Sequence, residues 1–436
     1  MLMHVTMVGM QTPMIDYLHF LLDSVGTDAG AVASYIPELA HADPDKLAVA
    51  VASPDGVVYV AGDADAEFTI QSISKPFAYA LAIADQGLDV VLEHIDVEPS
   101  GDAFNEISLD PETGRPRNPM INAGAIASHA LVRGEDADAR VGRILDLCSR
   151  LAGRQLSIAE DVFESELSTA DRNMALAYML RTVGTLHGEP TDIVRGYTRQ
   201  CSVSVTVRDL ARMASVLAAG GRTPDGDQAI APAINRQVLS VMATCGMYDS
   251  AGDWLTSVGI PAKSGVAGGL MGVLPGQVGI AVFSPRLDPH GNSTRGVRMF
   301  ERMNRDLGLH LMDSTDSTRS VARRWEREGV AVHEVMGDLH FVEAERVLRG
   351  FAQDPAGDAP VVVDLDRVHR TNDIARRMLL EGIRRLHLDG HEVRIVDPWG
   401  VLGSAETGSG ELVRGEPARG GYVPTAFPDI VSALRG

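Results

Sequence analysis

Phe68-Thr69-Ile70-Gln71-Ser72-Ile73-Ser74-Lys75-Pro76-Phe77 is the stretch on which the reading of this chain turns. It sets a hydroxyl and an amine three residues apart, at Ser72 and Lys75, where a helix is expected to start. Pro76 is tolerated in a first turn, whose amides lack partners anyway, and apolar Phe77-Ala78-Tyr79-Ala80-Leu81-Ala82-Ile83-Ala84 follows. Ser72 and Lys75 then share one face, close enough for the amine to take the hydroxyl proton. An amine does this only when partly neutral, so its usual pKa of about 10.4 must come down. Burial lowers it, and so does the positive end of a helix dipole. The free amides there can also hold an oxyanion made at Ser72. Taken alone, the spacing equally describes a solvated Ser and Lys on an ordinary helix. Ser74, next to Lys75, is a second candidate hydroxyl; the i,i+3 geometry favours Ser72.

The surrounding composition narrows the field. The chain has 436 residues, more than one typical domain, with 45% hydrophobic residues for a large core. Its net charge of −20 argues against nucleic acid or an anionic membrane as partner. Cys148, Cys201 and Cys245 are widely spaced and form no C-x-x-C, so a reducing cytoplasm is expected. Met1 to Met10 lacks a basic region followed by an apolar core, and no apolar run approaches a membrane span.

Upstream of the central stretch, Leu47 to Ala52 and Val57 to Gly62 flank Ser53-Pro54-Asp55-Gly56, a hairpin by composition. Downstream, Ile95 to Met120 reads as a long ordered loop ending in the small-residue run Asn122-Ala123-Gly124-Ala125. Helical patterns dominate to about Ala219. Within them Glu166 and Asn173 stand seven apart, two turns if the helix is continuous. Leu270 to Leu274 and Val278 to Phe283, split by Pro275-Gly276-Gln277, form a second hairpin, and a helix from about Ser293 to Leu309 follows. Strands early, helices in the middle and strands late predict an antiparallel sheet with a helical insert, an α+β arrangement within an α/β chain.

Polar residues from Asp313 to Arg319 mark a linker. Beyond it, a strand at Pro360 to Asp366, a helix capped by Thr371 or Asn372 and a strand at Glu392 to Val396 imply parallel pairing in a separate α/β unit. The expected division is 1–312, a linker over 313–329, and 330–436. His387 and His391 are four apart, but Asp389-Gly390 breaks the helix between them, so no metal site is expected.

Serine–lysine hydrolases need a third element on an edge strand, a basic residue, a hydroxyl and a glycine, and Lys263-Ser264-Gly265 supplies it just before the second hairpin. With it the chain resembles the serine-dependent glutaminases of the β-lactamase-like fold. The resemblance rests on Gly30 to Leu39, Gln71-Ser72-Ile73-Ser74-Lys75-Pro76, Pro99-Ser100-Gly101, Asn118 to Ile126, Asp171-Arg172-Asn173, Cys245 to Asp249 and Pro261 to Gly269. It implies Ser72 as nucleophile, Lys75 as base and Tyr248 as proton-transfer partner. It also implies substrate contacts at Ser72, Asn122, Glu166, Asn173, Tyr197, Tyr248 and Val266, with Tyr35 and Gln71 lining the pocket. The implied reaction is hydrolysis of L-glutamine to L-glutamate and ammonia through a glutamyl ester, without a cofactor, in a homodimer or homotetramer.

Chemistry supplies reasons for these roles. Glutamine carries an α-ammonium, for which Glu166 is the natural partner. Its α-carboxylate needs neutral donors such as Asn122, Asn173 and Tyr197. The tail, through Gly337-Asp338-Leu339-His340-Phe341-Val342-Glu343-Ala344, resembles a STAS domain, which implies a protein partner. Thr371-Asn372-Asp373 departs from the phosphorylatable pattern, and helix capping is the expected job there. Two rivals remain. A penicillin-binding or β-lactamase type hydrolase shares the serine–lysine machinery but works on exported material; a signalling module would keep the fold without the catalysis.

Overall fold

In a computed structural model of the chain, residues 12–26, 30–34, 36–101, 108–313, 321–354, 357–403 and 422–435 are described. Two compact units are present, one of residues 22–304 with 309–312, the other of 1–21, 305–308 and 313–436. Tyr35 and the polar run 314–320 lie outside the described residues.

The first unit contains strands β1 Ala48–Ala52, β2 Val58–Gly62, β3 Phe68–Thr69, β4 Ser157–Ile158, β5 Val203–Val205, β6 Ala262–Ser264, β7 Gly269–Leu274 and β8 Val278–Phe283. Five of them form one sheet in the order β2-β1-β8-β7-β6, antiparallel throughout. Both expected hairpins are there, and Gly276 turns the second with φ 78°, a conformation that favours glycine. β1, β7 and β8 are buried along their whole length, because the sheet is covered on both faces. Helix Val207–Ala218 presses on one face so closely that a Cβ on Gly279 would lie 2.2 Å from the Ser215 amide nitrogen. On β7, a Cβ on Gly272 would meet the Phe300 ring at 2.5 Å. The helical insert separates β2 from β6 in sequence, as the strand–helix–strand order implied.

Two local expectations are corrected. Ser72 lies not in an α-helix but in a 3-10 turn, Gln71–Ser74, and Lys75 opens the helix Lys75–Gln86. At three residues per turn, i and i+3 eclipse, so the pair still shares a face. Glu166 and Asn173 are not on one helix: Glu160–Ser168 ends and Asp171–Thr182 begins across Thr169-Ala170. Thr169 donates its hydroxyl back to the Glu166 carbonyl at 3.2 Å, a local bond that competes with helix propagation.

The second unit has strands β9 Val321–Arg327, β10 Val330–Leu339, β11 Val361–Thr371, β12 Val393–Val396 and β13 Thr425–Phe427, in the order β13-β12-β11-β10-β9. β10 to β13 pair in parallel, as the strand–helix–strand pattern predicted, and β9 joins β10 antiparallel. So the stretch 313–329 is not linker throughout: its second half is a strand. The sequence Arg323-Arg324-Trp325-Glu326-Arg327 carries too little apolar alternation to betray an edge strand. Helix Asp373–Leu388 is capped by Asn372, whose side-chain oxygen accepts from the Ala375 amide at 2.8 Å.

Candidate active site

Six segments meet at a cleft of about 150 Å³ in the first unit. Its walls include Gln71, Ser72, Asn122, Glu166, Asn173, Tyr197 and Val266, all expected from sequence, together with Ile36, Thr169, Ala170, Arg172 and Cys201, which were not. β3 delivers the chain to the 3-10 turn, where Gln71 takes φ 50°, an uncommon conformation for a residue with a side chain. That twist aims the Gln71 amide nitrogen at Thr69 Oγ1 and Glu166 Oε2, both at 3.2 Å.

Lys75 is fully buried behind Ser72. Its Nζ donates to the Met120 carbonyl at 3.2 Å and to Asn122 Oδ1 at 2.8 Å. Burial brings its pKa down to about 8, although Cys201 and Glu166 oppose the shift. The loop ending at Met120 and the helix Asn122–Leu131 therefore serve to receive this amine. Asn122 is a junction: Oδ1 also accepts from the Tyr197 hydroxyl at 3.2 Å, and Nδ2 donates to Asn173 Oδ1 at 3.1 Å. Burial raises the Glu166 carboxyl to about 7, with Gln71 and Lys75 pulling the other way.

Opposite stands Tyr248, also twisted, at φ 55°. The Ser72 hydroxyl hydrogen-bonds its phenol, which donates onward to the Ser264 carbonyl at 2.9 Å. Lys263 Nζ sits 4.1 Å from the centre of the Tyr248 ring and donates to the same carbonyl at 2.9 Å. Burial, then repulsion from Lys75, drives the Lys263 pKa well below its ordinary value. Burial likewise pushes the Tyr248 phenol up. A phenol and two buried amines are thus assembled around the Ser72 hydroxyl, with the half-buried Glu166 carboxyl and two amides on the cleft wall. That is a set of groups for nucleophilic attack on a polar, zwitterionic substrate.

Among the expected residues, Lys75 and Tyr248 stand behind the cleft rather than on its wall, and Tyr35 is not described. Cys201 could have been found from sequence: it lies one helical turn after Tyr197. Ile36, Thr169 and Ala170 carry no signal of their own. Among the described residues, no helix is long and apolar enough to cross a membrane.

Comparison with known proteins points to one family. The glutaminase family model matches residues 30–312. A glutaminase of Corynebacterium glutamicum is 50% identical over 395 residues, covering 89% of this chain and 95% of the relative. One from Trichormus variabilis is 49% identical over 285 residues, 65% of this chain and 85% of its own length. A crystal structure of Mglu superposes with a TM-score of 0.69 at 48% identity, covering 90% of this chain and all of that one.

Proposed function

The chain belongs to the glutaminase family and is a glutamine-hydrolysing enzyme; from that premise we propose that it works through a glutamyl ester on Ser72. The observation that carries the reading is the Lys75 amine, buried against Asn122 and Met120 and brought to about 8. An ordinary lysine is neutral less than about once in a thousand at neutral pH; this one is neutral in about a tenth of molecules, on the order of a hundredfold gain in active base.

The neutral amine draws the Ser72 proton as Oγ attacks the side-chain carbonyl carbon of glutamine. The amides of Ser72 and Val266 hold the oxyanion. Tyr248, already bonded to the Ser72 hydroxyl, returns a proton to the departing nitrogen, which leaves as ammonia. The Lys75 ammonium then restores the proton of Tyr248; water attacks the ester, the pair takes its proton and hands one back to Ser72 Oγ as the ester bond breaks, and glutamate and free Ser72 result. Glu166 receives the α-ammonium. The Tyr197 hydroxyl gives its one proton to Asn122 Oδ1, and Asn122 Nδ2 gives one of its two to Asn173 Oδ1, so the Asn173 nitrogen and the second Asn122 proton are the donors left for the α-carboxylate, with Tyr197 joining them when it releases Asn122. Gln71 steadies Glu166, and Tyr35 completes the pocket.

The fold reading is β-lactamase-like. It is supported by the antiparallel sheet with its helical insert and by Lys263-Ser264-Gly265 on edge strand β6. The tail reads as a STAS-like docking domain of a cytoplasmic homo-oligomer, on its parallel strands. Asp373 pairs with Arg376 and Arg377 beside the Asn372 cap, which favours capping over a phosphate switch. The test is rapid quenching of the enzyme with L-glutamine, followed by peptide mass spectrometry. The glutamyl mass is expected on the peptide holding Ser72; its recovery on another side chain overturns the assignment. A chromogenic β-lactam should remain intact under the same conditions.

A further inference from the structure

The central motif contains a hydroxyl that the chemistry above does not use. Ser74 is fully buried and is not on the wall of the cleft. Its Oγ accepts from Gln200 Nε2 at 3.3 Å and lies 3.8 Å from Cys201 Sγ. Gln200, fully buried too, offers Oε1 to His129 Nδ1 at 2.7 Å. An amide oxygen can only accept, so His129 carries its proton on Nδ1. Its Nε2 faces Gly196, where a Cβ would lie 2.2 Å away; only glycine lets that helix approach so closely. Burial, reinforced by Arg140 and opposed by Gln200 and Asp192, holds His129 down to about 4, so the chain is neutral at working pH.

The members of this chain are spaced along three elements that each supply the cleft. Ser74 lies between Ser72 and Lys75. Gln200 shares helix Pro190–Cys201 with Tyr197 and Cys201, and His129 shares helix Asn122–Leu131 with Asn122. Where the helices converge in the cleft, Lys75, Asn122 and Tyr197 meet on a single oxygen. We infer that His129, Gln200 and Ser74 are positioning residues for the glutaminase reaction: one buried hydrogen-bonded relay sets the register of the three elements, and so the Lys75–Asn122–Tyr197 junction. None of the three touches substrate. The inference rests on the roles given above to Lys75 and Asn122. Its physical logic is that each deletion strands further polar atoms without water to satisfy them, in a network whose far end, His129 Nε2, already has no hydrogen-bond partner.

The test is a double-mutant cycle in the full chain, Gln200→Leu, His129→Leu and both together, read by kcat, KM and the pH profile. Each single variant should lower kcat about 30-fold with a smaller change in KM, and the double should be no worse than either, as members of one unit behave. The acidic limb of kcat should move below its wild-type position, because Asn122 Oδ1 no longer meets the Lys75 ammonium squarely. Multiplicative losses, or wild-type kinetics and an unmoved limb alongside a lower Tm, overturn the inference. If Gln200→Leu does not fold, Ser74→Ala removes one buried hydroxyl and is decisive: about a fivefold loss of kcat with the shifted limb supports it, and unchanged kinetics overturns it. Quenched labelling separates this from the assignment of Ser72. Label on Ser72 at the wild-type rate in these variants defeats the relay alone; label elsewhere in the wild type defeats the nucleophile.

Discussion

Two groups of buried charges are handled in opposite ways, those of the candidate active site and those around Asp354 and Glu381 in the second unit. In the catalytic unit, Lys75 and Lys263 are fully buried against carbonyl and amide oxygens and an aromatic face, and burial lowers both. Glu166 is raised to about 7. In the second unit, Asp354 is equally buried but receives Arg324 at 2.5 Å and His333 at 2.6 Å. Glu381 receives Arg384 and Arg385, each at 2.8 Å. There the partners outweigh burial, and both carboxyls stay below their usual range. Desolvation acts in both places; what differs is whether the fold provides the counter-charge. Where it does, the ionised form adds stability. Where it does not, the fold stores a deficit that, on the proposed assignment of Glu166, the ammonium of glutamine would relieve.

Lys75→Met attacks the comparison at its strongest point. Turnover measured as ammonia release should fall about 10⁴-fold, while the folded state keeps or gains about 1 kcal/mol because a costly buried amine is gone. A large loss of stability would mean Lys75 is compensated after all. Asp354→Asn is the converse and comes next in size. It should cost about 3 kcal/mol in the second unit, read from hydrogen exchange of the β10 and β11 amides in urea, because Arg324 and His333 lose their anion. Glu166→Gln should raise KM for glutamine about 30-fold, with kcat much less affected. It should also remove an acidic limb near pH 7 from kcat/KM, leaving the one set by Lys75 near 8. A limb near 7 that survives would belong to another group.

The smallest effect is on stability against pH. Folded Glu166 keeps a proton that the unfolded chain gives up, so its contribution falls as pH rises from 4.5 to about 7. Folded Lys75 gives up a proton that the unfolded chain keeps, so stability rises from about 8 to 10.5. Asp354 is lowered, so its contribution is present above 3.8 and is lost as pH falls through its folded value. His129, lowered to about 4, makes stability rise from pH 4 to 6.5 and offsets Glu166 there, so the Glu166 effect is read as a difference: relative to Glu166→Gln, the wild type should lose about 1 kcal/mol between pH 5 and 7 in thermal melts without glutamine, and less when it is present. A gain relative to that variant would mean the Glu166 carboxyl is lowered rather than raised.

Much of this was legible in the sequence, for identifiable reasons. Ser72, Lys75 and the Lys263-Ser264-Gly265 strand announce themselves by spacing, and the hairpins by turn residues between β-prone runs. Glu166 and Asn173 were found although the helix expected to join them breaks at Thr169-Ala170. β3, β4 and β5 are two or three residues long, too short for alternation to register. β9 is hidden by its arginines. The relay behind Ser74 is the clearest loss, because Gln200 and His129 read as polar positions on helices. Only the packing of three helices, non-local by nature, makes them interior.

The main sheet pairs β1 with β8, whose partners stand some two hundred residues apart, Ala50 against Ala281. During synthesis, then, the first hairpin leaves the ribosome with one edge open, and waits at 5 to 20 residues per second for about ten seconds or more until its neighbour arrives. For that interval Ser72 and Lys75 exist but Tyr248, Lys263 and Val266 do not, so the groups of the proposed site come together only when the last hairpin joins the first.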